Sequence, residues 1–402
     1  MSLLMAVILL AACRSGSEDI PGGGNQDCYL LIYVYAPGRP IVTRVDTNLK
    51  TATEQESKIH KLQLWVFKHD TGEKVGYLEE DDVTLDASGS TFRMVISREF
   101  ADSPENVDVY ALANVTTANS GHSFSAGTTR TELETAKLEG NYFGVATPIQ
   151  AVPADGLPMT AVLKDKPIAG TFPALRVGTE SMMETLLLTR TVSKVRFVLC
   201  REKESEPPVP SHQLKAITSI ALDPSLIPSQ SYLMLEEPFD NSLNPAQPLG
   251  PSRIHIVTGA HESTSLNFGA IADPTTIPET PAPDSPEKWI YSDAVYGNRT
   301  DYSAALDQGI LNGELLEFGV TYVRESDKKL TGNITYTVRS DAEGVERVTP
   351  FEMHQAGDFT RNHIWTVLVM FEGGQLKVIN VVDIGITSWI TGDPDEHDLY
   401  NW

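Results

Sequence analysis

Residues that often carry out catalysis or bind metals occur in this sequence, but not at the spacings that those functions need. His255 and His261 lie six positions apart, which matches neither an HExxH helix nor a zinc-finger pair. The acidic stretch 392–398 offers oxygen ligands for Ca²⁺, yet it lacks the alternating ligand positions of an EF-hand loop, and the carboxylates at 79–82 are predicted to lie on a turn. The sequence contains no GxSxG elbow, P-loop or dinucleotide fingerprint. We therefore predict a protein that is not an enzyme and that has no metal site and no cofactor.

Cys13 is the first residue with a pattern for covalent modification, and it ends an apolar run over residues 2–12. The run is too short to span a bilayer, which needs about 20 residues, and it fits the apolar part of a signal peptide. The sequence LAAC that ends at Cys13 resembles the bacterial lipobox, in which the Cys sulfur is acylated and this Cys becomes the new N-terminus. We expect residues 1–12 to be a lipoprotein signal peptide, and lipid on Cys13 to hold a polar tether, 13–28, at the outer membrane. The alternative is a buried first strand with a chance Cys.

One apolar strand, Tyr29–Tyr35, follows the tether and must pair with other strands of the fold. The segment after it, PGRPIVTR, offers basic cut sites for a protease at Arg39 and Arg44. The first strand of this protein is therefore a candidate for removal after secretion.

The composition limits the partners and the number of domains. The chain has 402 residues and a formal net charge of -23, which argues against nucleic acid and against an anionic membrane surface as partners. Single hydrophobic cores rarely grow beyond about 250–300 residues. We therefore predict two domains, 29–188 and 189–402.

Besides Cys13, the chain has two cysteines, Cys28 and Cys200. They could form a disulfide in an oxidising cell envelope. Because two cysteines so far apart carry no spacing signal, we favour the alternative of two small buried hydrophobic residues.

Short strands broken by Gly, Asp, Asn and Pro dominate the rest of the chain. The stretch 107–115 places apolar residues on one face at period two, and 186–199 is the longest β-rich run. One short helix is predicted over 131–138, where Thr131 and Glu134 fit a capping box. Many short strands with regular turn signals predict an all-β fold built from β-sandwiches.

Several stretches, taken in their order along the chain, resemble the type V fimbrillins of Bacteroides-type bacteria, which include pilus shaft, tip and anchor subunits. They are the LAAC lipobox, the first strand with Thr43-Arg44-Val45-Asp46, Glu56-Ser57-Lys58-Ile59 before LQLWVFKHDTGE, VDVYALANV, LTRTVSKVRFVL, and Arg361-Asn362-His363-Ile364-Trp365. The resemblance extends over most of the chain, with the Pro-rich segment 236–286 as the gap.

This resemblance implies two tandem β-sandwich domains of transthyretin-like topology and assembly by strand exchange. In shaft subunits of this family, a trypsin-like protease cuts after an Arg, and the lipidated first strand leaves. Arg44 best matches that cut site, because Arg39 precedes Pro40, which such enzymes generally resist; the alternative is that Arg44 is a solvated loop residue. The candidate displaced strand contains Tyr29, Leu31, Tyr33 and Tyr35.

In this family a neighbouring subunit is thought to fill the open groove with a strand from its C-terminal end. Here, residues 376–402 would be that donor or capping region. The candidate donor residues, which share one face, are Val378, Asn380, Val382 and Ile384. The alternative is that this strand belongs to the second sandwich of its own chain.

The resemblance favours a structural and adhesive subunit of a surface fimbria, whose partners are other pilus subunits bound by β-strand addition. The Pro-rich insertion near 236–286 would suit an accessory or tip subunit, where an extra loop meets a host or bacterial surface ligand. Anchor subunits keep their lipid and are not cut, so an anchor is also an open interpretation. A different class is a surface glycan-binding lipoprotein, for which Trp289, Tyr291 and Tyr296 could form an aromatic platform.

Overall fold

A computed structural model describes residues 27–36, 54–86, 89–138, 152–234, 265–279, 309–310, 312–324, 330–353 and 361–385. The chain there consists mainly of β-strands joined by short turns, and the predicted all-β fold is confirmed. Across these described ranges, no helix is long and apolar enough to cross a membrane.

These ranges contain twenty strands, four short α-helices and three 3-10 helices of three residues each, at Pro210–His212, Pro224–Leu226 and Pro274–Thr276. The strands of the first half are β1 (Cys28–Tyr35), β2 (Ile59–Lys68), β3 (Lys74–Val83), β4 (Ser90–Ile96), β5 (Val107–Ala113), β6 (Lys137–Leu138), β7 (Met159–Lys166), β8 (Ile168–Thr171), β9 (Ala174–Val177), β10 (Thr185–Leu187) and β11 (Thr189–Arg190). Those of the second half are β12 (Val192–Arg201), β13 (Leu214–Leu222), β14 (Ser231–Tyr232), β15 (Leu266–Ile271), β16 (Leu316–Arg324), β17 (Leu330–Val338), β18 (Arg347–Met353), β19 (His363–Glu372) and β20 (Gln375–Gly385). The helices are α1 (Glu54–Ser57), α2 (Arg98–Asp102), α3 (Thr117–Ser120) and α4 (Arg130–Thr135).

The first half of the chain forms two sheets that face each other. Sheet A has the order β10-β1-β9-β8, with β4 paired to the other side of β1, and sheet B has the order β11-β7-β5-β2-β3. Their inner faces share one hydrophobic core, to which alternate residues of β1 and β5 contribute, among them Leu30, Val34 and Val109. We call this pair of sheets the N-terminal sandwich.

The second half forms a similar pair, which we call the C-terminal sandwich. Sheet C has the order β16-β12-β19-β20, and sheet D has the order β15-β13-β17-β18. A separate core lies between them and includes the ring pair of Phe197 and Phe268, whose centroids are 4.8 Å apart. A two-stranded pair, β6 with β14, lies outside these four sheets.

The run 186–199 is not one strand but a passage through three sheets. Its residues form β10 in sheet A, β11 in sheet B and the first part of β12 in sheet C. Since the apolar pattern is almost continuous, the breaks depend on which strands are available for pairing. The sequence indicates that this run connects the two halves of the chain. It does not indicate that the run passes from sheet A to sheet B and then from sheet B to sheet C.

Two local predictions were wrong. The helix predicted at 131–138 is α4, and its capping box uses Thr129 and Glu132 instead of Thr131 and Glu134. Glu134 instead accepts a hydrogen bond of 2.6 Å from the Tyr110 hydroxyl. The carboxylates at 79–82 lie in strand β3 and not on a turn, because β3 pairs with β2 along this stretch.

Candidate functional site

The first strand, β1, occupies the middle of sheet A. On one side it runs antiparallel to β4, from Cys28 opposite Ile96 to Val34 opposite Ser90. On the other side it runs parallel to β9 over Tyr29 to Leu31, and parallel to β10 over Tyr33 to Tyr35. The strand therefore joins three others, although it begins one residue earlier than predicted, at Cys28.

Burial alternates strictly along β1. The side chains that enter the core belong to Cys28, Leu30, Ile32 and Val34, each at most 3% exposed. The predicted residues of the displaced strand, Tyr29, Leu31, Tyr33 and Tyr35, are half-buried on the opposite face. The guanidinium of Arg93, on β4, lies 4.2 Å from the ring centroid of Tyr29 on that outer face. The apolar composition of YLLIYVY conceals which face is inside, because both faces carry large hydrophobic residues.

Two of the strands beside β1 depend on it for sheet pairing. Among the strands that the structure describes, β4 and β10 pair only with β1, whereas β9 also pairs with β8. Met94 and Ile96 of β4 project into the same core as Leu30. Removal of β1 would therefore open a long apolar groove bordered by β4 on one side and by β9 and β10 on the other.

The candidate donor strand is β20, at the edge of sheet C. It pairs antiparallel with β19 from Gln375 opposite Glu372 to Gly385 opposite His363. The predicted donor residues lie within this pairing, at Val378, Asn380, Val382 and Ile384. In this structure the strand thus belongs to its own sandwich, and among the described strands it pairs with β19 alone.

Several motifs that carry the fimbrillin resemblance meet at the junction between the two sandwiches. Arg190, which is 4% exposed, donates hydrogen bonds to the Glu56 carbonyl, the Ser57 hydroxyl and the Asn362 side-chain oxygen, at 3.2, 3.2 and 3.4 Å. Lys194 forms an ion pair with the buried Glu56 carboxylate at 3.2 Å. The stretches ESKI, LTRTVSKV and RNHIW are therefore brought together, and their role in this structure is to join the halves.

The motif VDVYALANV contains Asn114, whose side chain connects the end of β5 to two other segments of the chain. Asn114 has a φ of 57°, which ends β5. Its side chain donates to the carbonyls of Lys58 and Leu157 at 2.8 and 3.0 Å, and accepts from the His60 backbone N–H at 2.8 Å. Asn tolerates this left-handed backbone better than most residues, so the motif is explained by backbone geometry and hydrogen bonding.

Sequence reasoning missed a buried carboxylate. Asp108 is 2% exposed and accepts hydrogen bonds from His69 Nδ1, Arg130 and the Asp165 N–H at 2.7, 2.9 and 2.9 Å. The hydrogen bond to Asp108 is the main cause that raises the pKa of His69, against the opposing effect of burial. Asp108 lies within an apolar strand pattern, and only its three donors in space show that it organises this end of sheet B.

The two cysteines are buried free thiols in different sandwiches, as expected for small hydrophobic residues. Burial raises the pKa of Cys200 to about 12, so that this thiol stays protonated and unreactive. Cys28 lies at the start of β1 and faces the core. Within the ranges covered by the structure, no group of His, Cys, Asp and Glu side chains is arranged to hold a metal ion.

Some of the predicted sites lie outside the described residues. They are the signal peptide with Cys13, the cut site Arg44, the two His at 255 and 261, the aromatic residues Trp289, Tyr291 and Tyr296, the acidic stretch 392–398, and much of the Pro-rich segment 236–286. These stay predictions.

Comparisons with known proteins support the fimbrillin resemblance. The model of the family "Major fimbrial subunit protein (FimA)" matches residues 39–178. The match ends at Gly178, directly after β9. This match confirms the resemblance drawn from the motifs, and it covers about a third of the chain. No curated protein matches the sequence.

Solved structures that are similar to this chain include proteins of Parabacteroides distasonis and Porphyromonas gingivalis. A protein from Parabacteroides distasonis, described as a cell adhesion protein, has a TM-score of 0.50 at 16% identity, and the match covers 89% of this chain and 97% of that one. The tip fimbrial protein Mfa3 of Porphyromonas gingivalis, truncated at its C-terminus, has a TM-score of 0.45 at 13% identity and covers 89% and 100%. A fimbrilin (fimA) of Porphyromonas gingivalis W83 has a TM-score of 0.44 at 11% identity and covers 89% and 96%. At 16% identity, the likeness to the Parabacteroides distasonis protein is one of fold.

Proposed function

We propose that this chain is a subunit of a surface fimbria, and that it joins its neighbours by exchange of its first strand. Proteolysis after Arg44 breaks the covalent link between β1 and the rest of the chain. A strand from the next subunit then displaces β1 and takes its place. The subunit has an adhesive and structural role and no catalytic one. The position of β1 in the middle of sheet A carries this proposal.

The energetics of β1 explain why an open groove must be filled. Leu30, Ile32 and Val34 are fully buried, and burial of such side chains contributes about 1.5–3 kcal/mol each. Together these three residues contribute roughly 5–9 kcal/mol, which is similar to the whole stability of many domains. A subunit that has lost β1 is therefore driven to bind an extended apolar strand.

The geometry of the groove defines what the incoming strand must supply. Its backbone has to pair with β4 on one side, and its alternate side chains have to fill the positions of Cys28, Leu30, Ile32 and Val34. This is β-augmentation, in which main-chain hydrogen bonds give affinity and alternate side chains give specificity. The proposed donor is the region 376–402 of a neighbour, with Val378, Asn380, Val382 and Ile384 as its candidate contacts.

Cleavage and release are two separate steps in this proposal. A cut after Arg44 lies outside β1, so it leaves intact every pairing of β1 with β4, β9 and β10. The cut chain then keeps β1 as a bound peptide until a donor strand displaces it. Before the cut, lipid on Cys13 holds the subunit at the outer membrane; after displacement, the lipid leaves with β1.

The first test is to determine the N-terminus of the mature protein on the cell surface by mass spectrometry. A start at Val45 without lipid is the expected result for a polymerised shaft or tip subunit. A lipidated start at Cys13 in all molecules would exclude strand exchange at this subunit's own groove. It would then indicate an anchor subunit or a surface glycan-binding lipoprotein. Binding of polysaccharide by the monomer would favour the glycan-binding lipoprotein over the anchor.

The second test uses the purified chain treated with a trypsin-like protease. We expect one early cut after Arg44 and then ladders of polymers that resist mild detergent. Arg44→Ala should abolish both, whereas Arg39→Ala, a matched change five residues earlier, should leave both intact. Ladders of equal yield from the Arg44→Ala chain would contradict the assigned site.

A further inference from the structure

A short segment of the second half of the chain lies on the N-terminal sandwich. This segment, which we call the clasp, comprises residues 231–234. Its strand β14 pairs antiparallel with β6, with Ser231 opposite Leu138 and Tyr232 opposite Lys137. The next residue, Leu233, donates its N–H to the Ala136 carbonyl at 2.9 Å. The clasp thus extends the N-terminal half by backbone hydrogen bonds.

The clasp also completes a hydrophobic core on the outer face of sheet B. Leu233 and Met234 are 0% and 4% exposed. They pack in a cluster with Trp65 and Tyr110 of sheet B and with Leu133 of α4. Without the clasp, this outer face would lose two of the side chains that cover it.

The carbonyl of Leu233 is bound from both halves of the molecule. Thr160, on β7 of the N-terminal sandwich, donates its hydroxyl to this oxygen at 2.9 Å. Arg361, just before β19 of the C-terminal sandwich, donates to the same oxygen at 2.9 Å and to the Tyr232 carbonyl at 2.8 Å. Arg361 is only 2% exposed, so its guanidinium is fixed in the interior between the two sandwiches.

A second contact fastens the same region. The N–H of Asn362 donates to the Val192 carbonyl at 3.0 Å, at the start of β12. Arg190, two residues earlier in the chain than Val192, holds α1 and Asn362 together. Sandwiches joined by a single linker would be free to move, which is the usual expectation for neighbouring domains. Here the clasp, Arg361 and Arg190 supply a connected and buried set of contacts.

We propose that the clasp makes the two sandwiches one cooperative folding unit, in which the N-terminal sandwich requires residues 231–234 and Arg361 for its stability. It follows that the stretch 39–178, which matches the fimbrial family model, is not an autonomous folding unit in this chain. This inference does not depend on strand exchange, because it concerns the intact single chain with β1 in place.

The test is differential scanning calorimetry of the full chain, together with hydrogen exchange of the amides in β5 and β19. The wild-type protein should unfold in one transition, with calorimetric and van't Hoff enthalpies that agree. Arg361→Ala should split this into two transitions, and the amides of β5 should exchange at least tenfold faster than those of β19. The matched control is Arg196→Ala, which removes an equally buried Arg that binds Thr366 and Glu317 of sheet C. It should lower the single transition without splitting it.

Thr160→Val provides a second variant in case Arg361→Ala does not fold, because it keeps the side-chain shape and removes one hydrogen bond to the clasp. If the two sandwiches unfold as one unit, Thr160→Val should accelerate exchange in β13 and β17 of sheet D as well as in β5 and β7. Faster exchange in β5 and β7 alone would show that the sandwiches unfold independently, and it would overturn the proposal. Two transitions in the wild-type protein would overturn the proposal. Equal shifts of one unsplit transition in Arg361→Ala and Arg196→Ala would overturn it as well.

Discussion

At the scale of single residues, the buried charges of this protein are held by specific donors and acceptors. Asp108 accepts from three donors, Arg196 reaches Thr366 and Glu317, and Arg361 binds two carbonyls. Burial of a charge is costly unless it is paired and hydrogen-bonded. These residues therefore connect elements of the fold. Where such a contact includes a titratable group, the free energy of unfolding depends on pH.

His69 is such a group. Its pKa is raised by the hydrogen bond to Asp108, so its contribution to stability is fully present below the pKa of an unfolded His, about 6.5, and is lost as pH rises through the higher folded pKa. We expect His69→Gln to remove this loss, so that Tm of the variant changes less than that of the wild type between about pH 6 and pH 8. His212→Gln, at an exposed position, is the control and should follow the wild-type profile. Parallel pH profiles for His69→Gln and the wild type would contradict the role of this pair.

At the scale of elements, the position of a strand in its sheet decides what its residues do. β1 is central, so one of its faces fills the core and both of its edges are paired. β3 is an edge of sheet B and carries the carboxylates at 79–82. Charges on an edge strand discourage pairing with other chains. In a protein proposed to polymerise through one groove, this protection keeps a second edge from competing.

The two faces of β1 should differ in their tolerance of change. Ile32 is 1% exposed in the core, so Ile32→Ala should lower the free energy of unfolding by about 2–4 kcal/mol. Leu31 is half-buried on the outer face, and Leu31→Ala should cost about 1 kcal/mol. Urea unfolding of both variants measures the difference. Equal losses would mean that the two faces of β1 are buried to the same degree.

Acid should lower the stability of the pairing between β2 and the edge strand β3. The pKa of Glu79 is lowered to about 2, chiefly by hydrogen bonding to Lys61 and then by the Tyr77 hydroxyl. A carboxyl with a depressed pKa stabilises the fold above its unfolded pKa of about 4.3, and this stabilisation is lost as pH falls towards the folded value. Glu79→Gln should therefore be less stable than the wild type at pH 6, with the gap closing as pH falls towards 2 in urea titrations. Glu80→Gln, the same substitution at the next residue of β3, is the control.

At the scale of the whole molecule, hydrogen bonds and an ion pair at the junction connect the two sandwiches. α1 is the first described element after the proposed cut at Arg44, and Arg190 and Lys194 fasten it between the sandwiches. Loss of β1 would therefore leave the contacts of α1 with Arg190 and Lys194 in place. In the proposed fibre, these contacts would transmit force from one sandwich to the other.

The ion pair of Glu56 and Lys194 tests the junction. The side chains of Glu56 and Lys194 are 4% and 13% exposed, so Glu56→Gln, which leaves Lys194 without its counter-charge, should cost about 3 kcal/mol. The double variant Glu56→Gln/Lys194→Met should lose less than the sum of the two single losses, as measured by urea unfolding. Asp102→Asn, which breaks the exposed pair of Arg98 and Asp102, is the control and should cost much less than Glu56→Gln. Strict additivity at the junction would show that the pair does not couple.

The sequence by itself determined the fold class and most of the strands. Period-two patterns and turn residues depend on neighbours along the chain, which is why 107–115 and the first strand could be located in advance. The motifs shared with fimbrillins identified the family resemblance that the family model confirms. The predicted capping box of α4 was wrong by two residues. Thr129 and Thr131 are equally good local candidates for the N-cap, because each is followed three residues later by a Glu.

The tertiary structure alone decided the pairing partners and the buried faces. β1 meets β4, β9 and β10, which are distant in sequence, and backbone hydrogen bonds carry no side-chain code that would name these partners. Ile32 and Leu31 are equally apolar, and only the core on one side of sheet A makes the first buried. Arg361 and Leu233 lie far apart in the chain, and their contact exists because both halves fold around it. Local patterns specify strands, whereas the packing of one sheet on another specifies what each strand does.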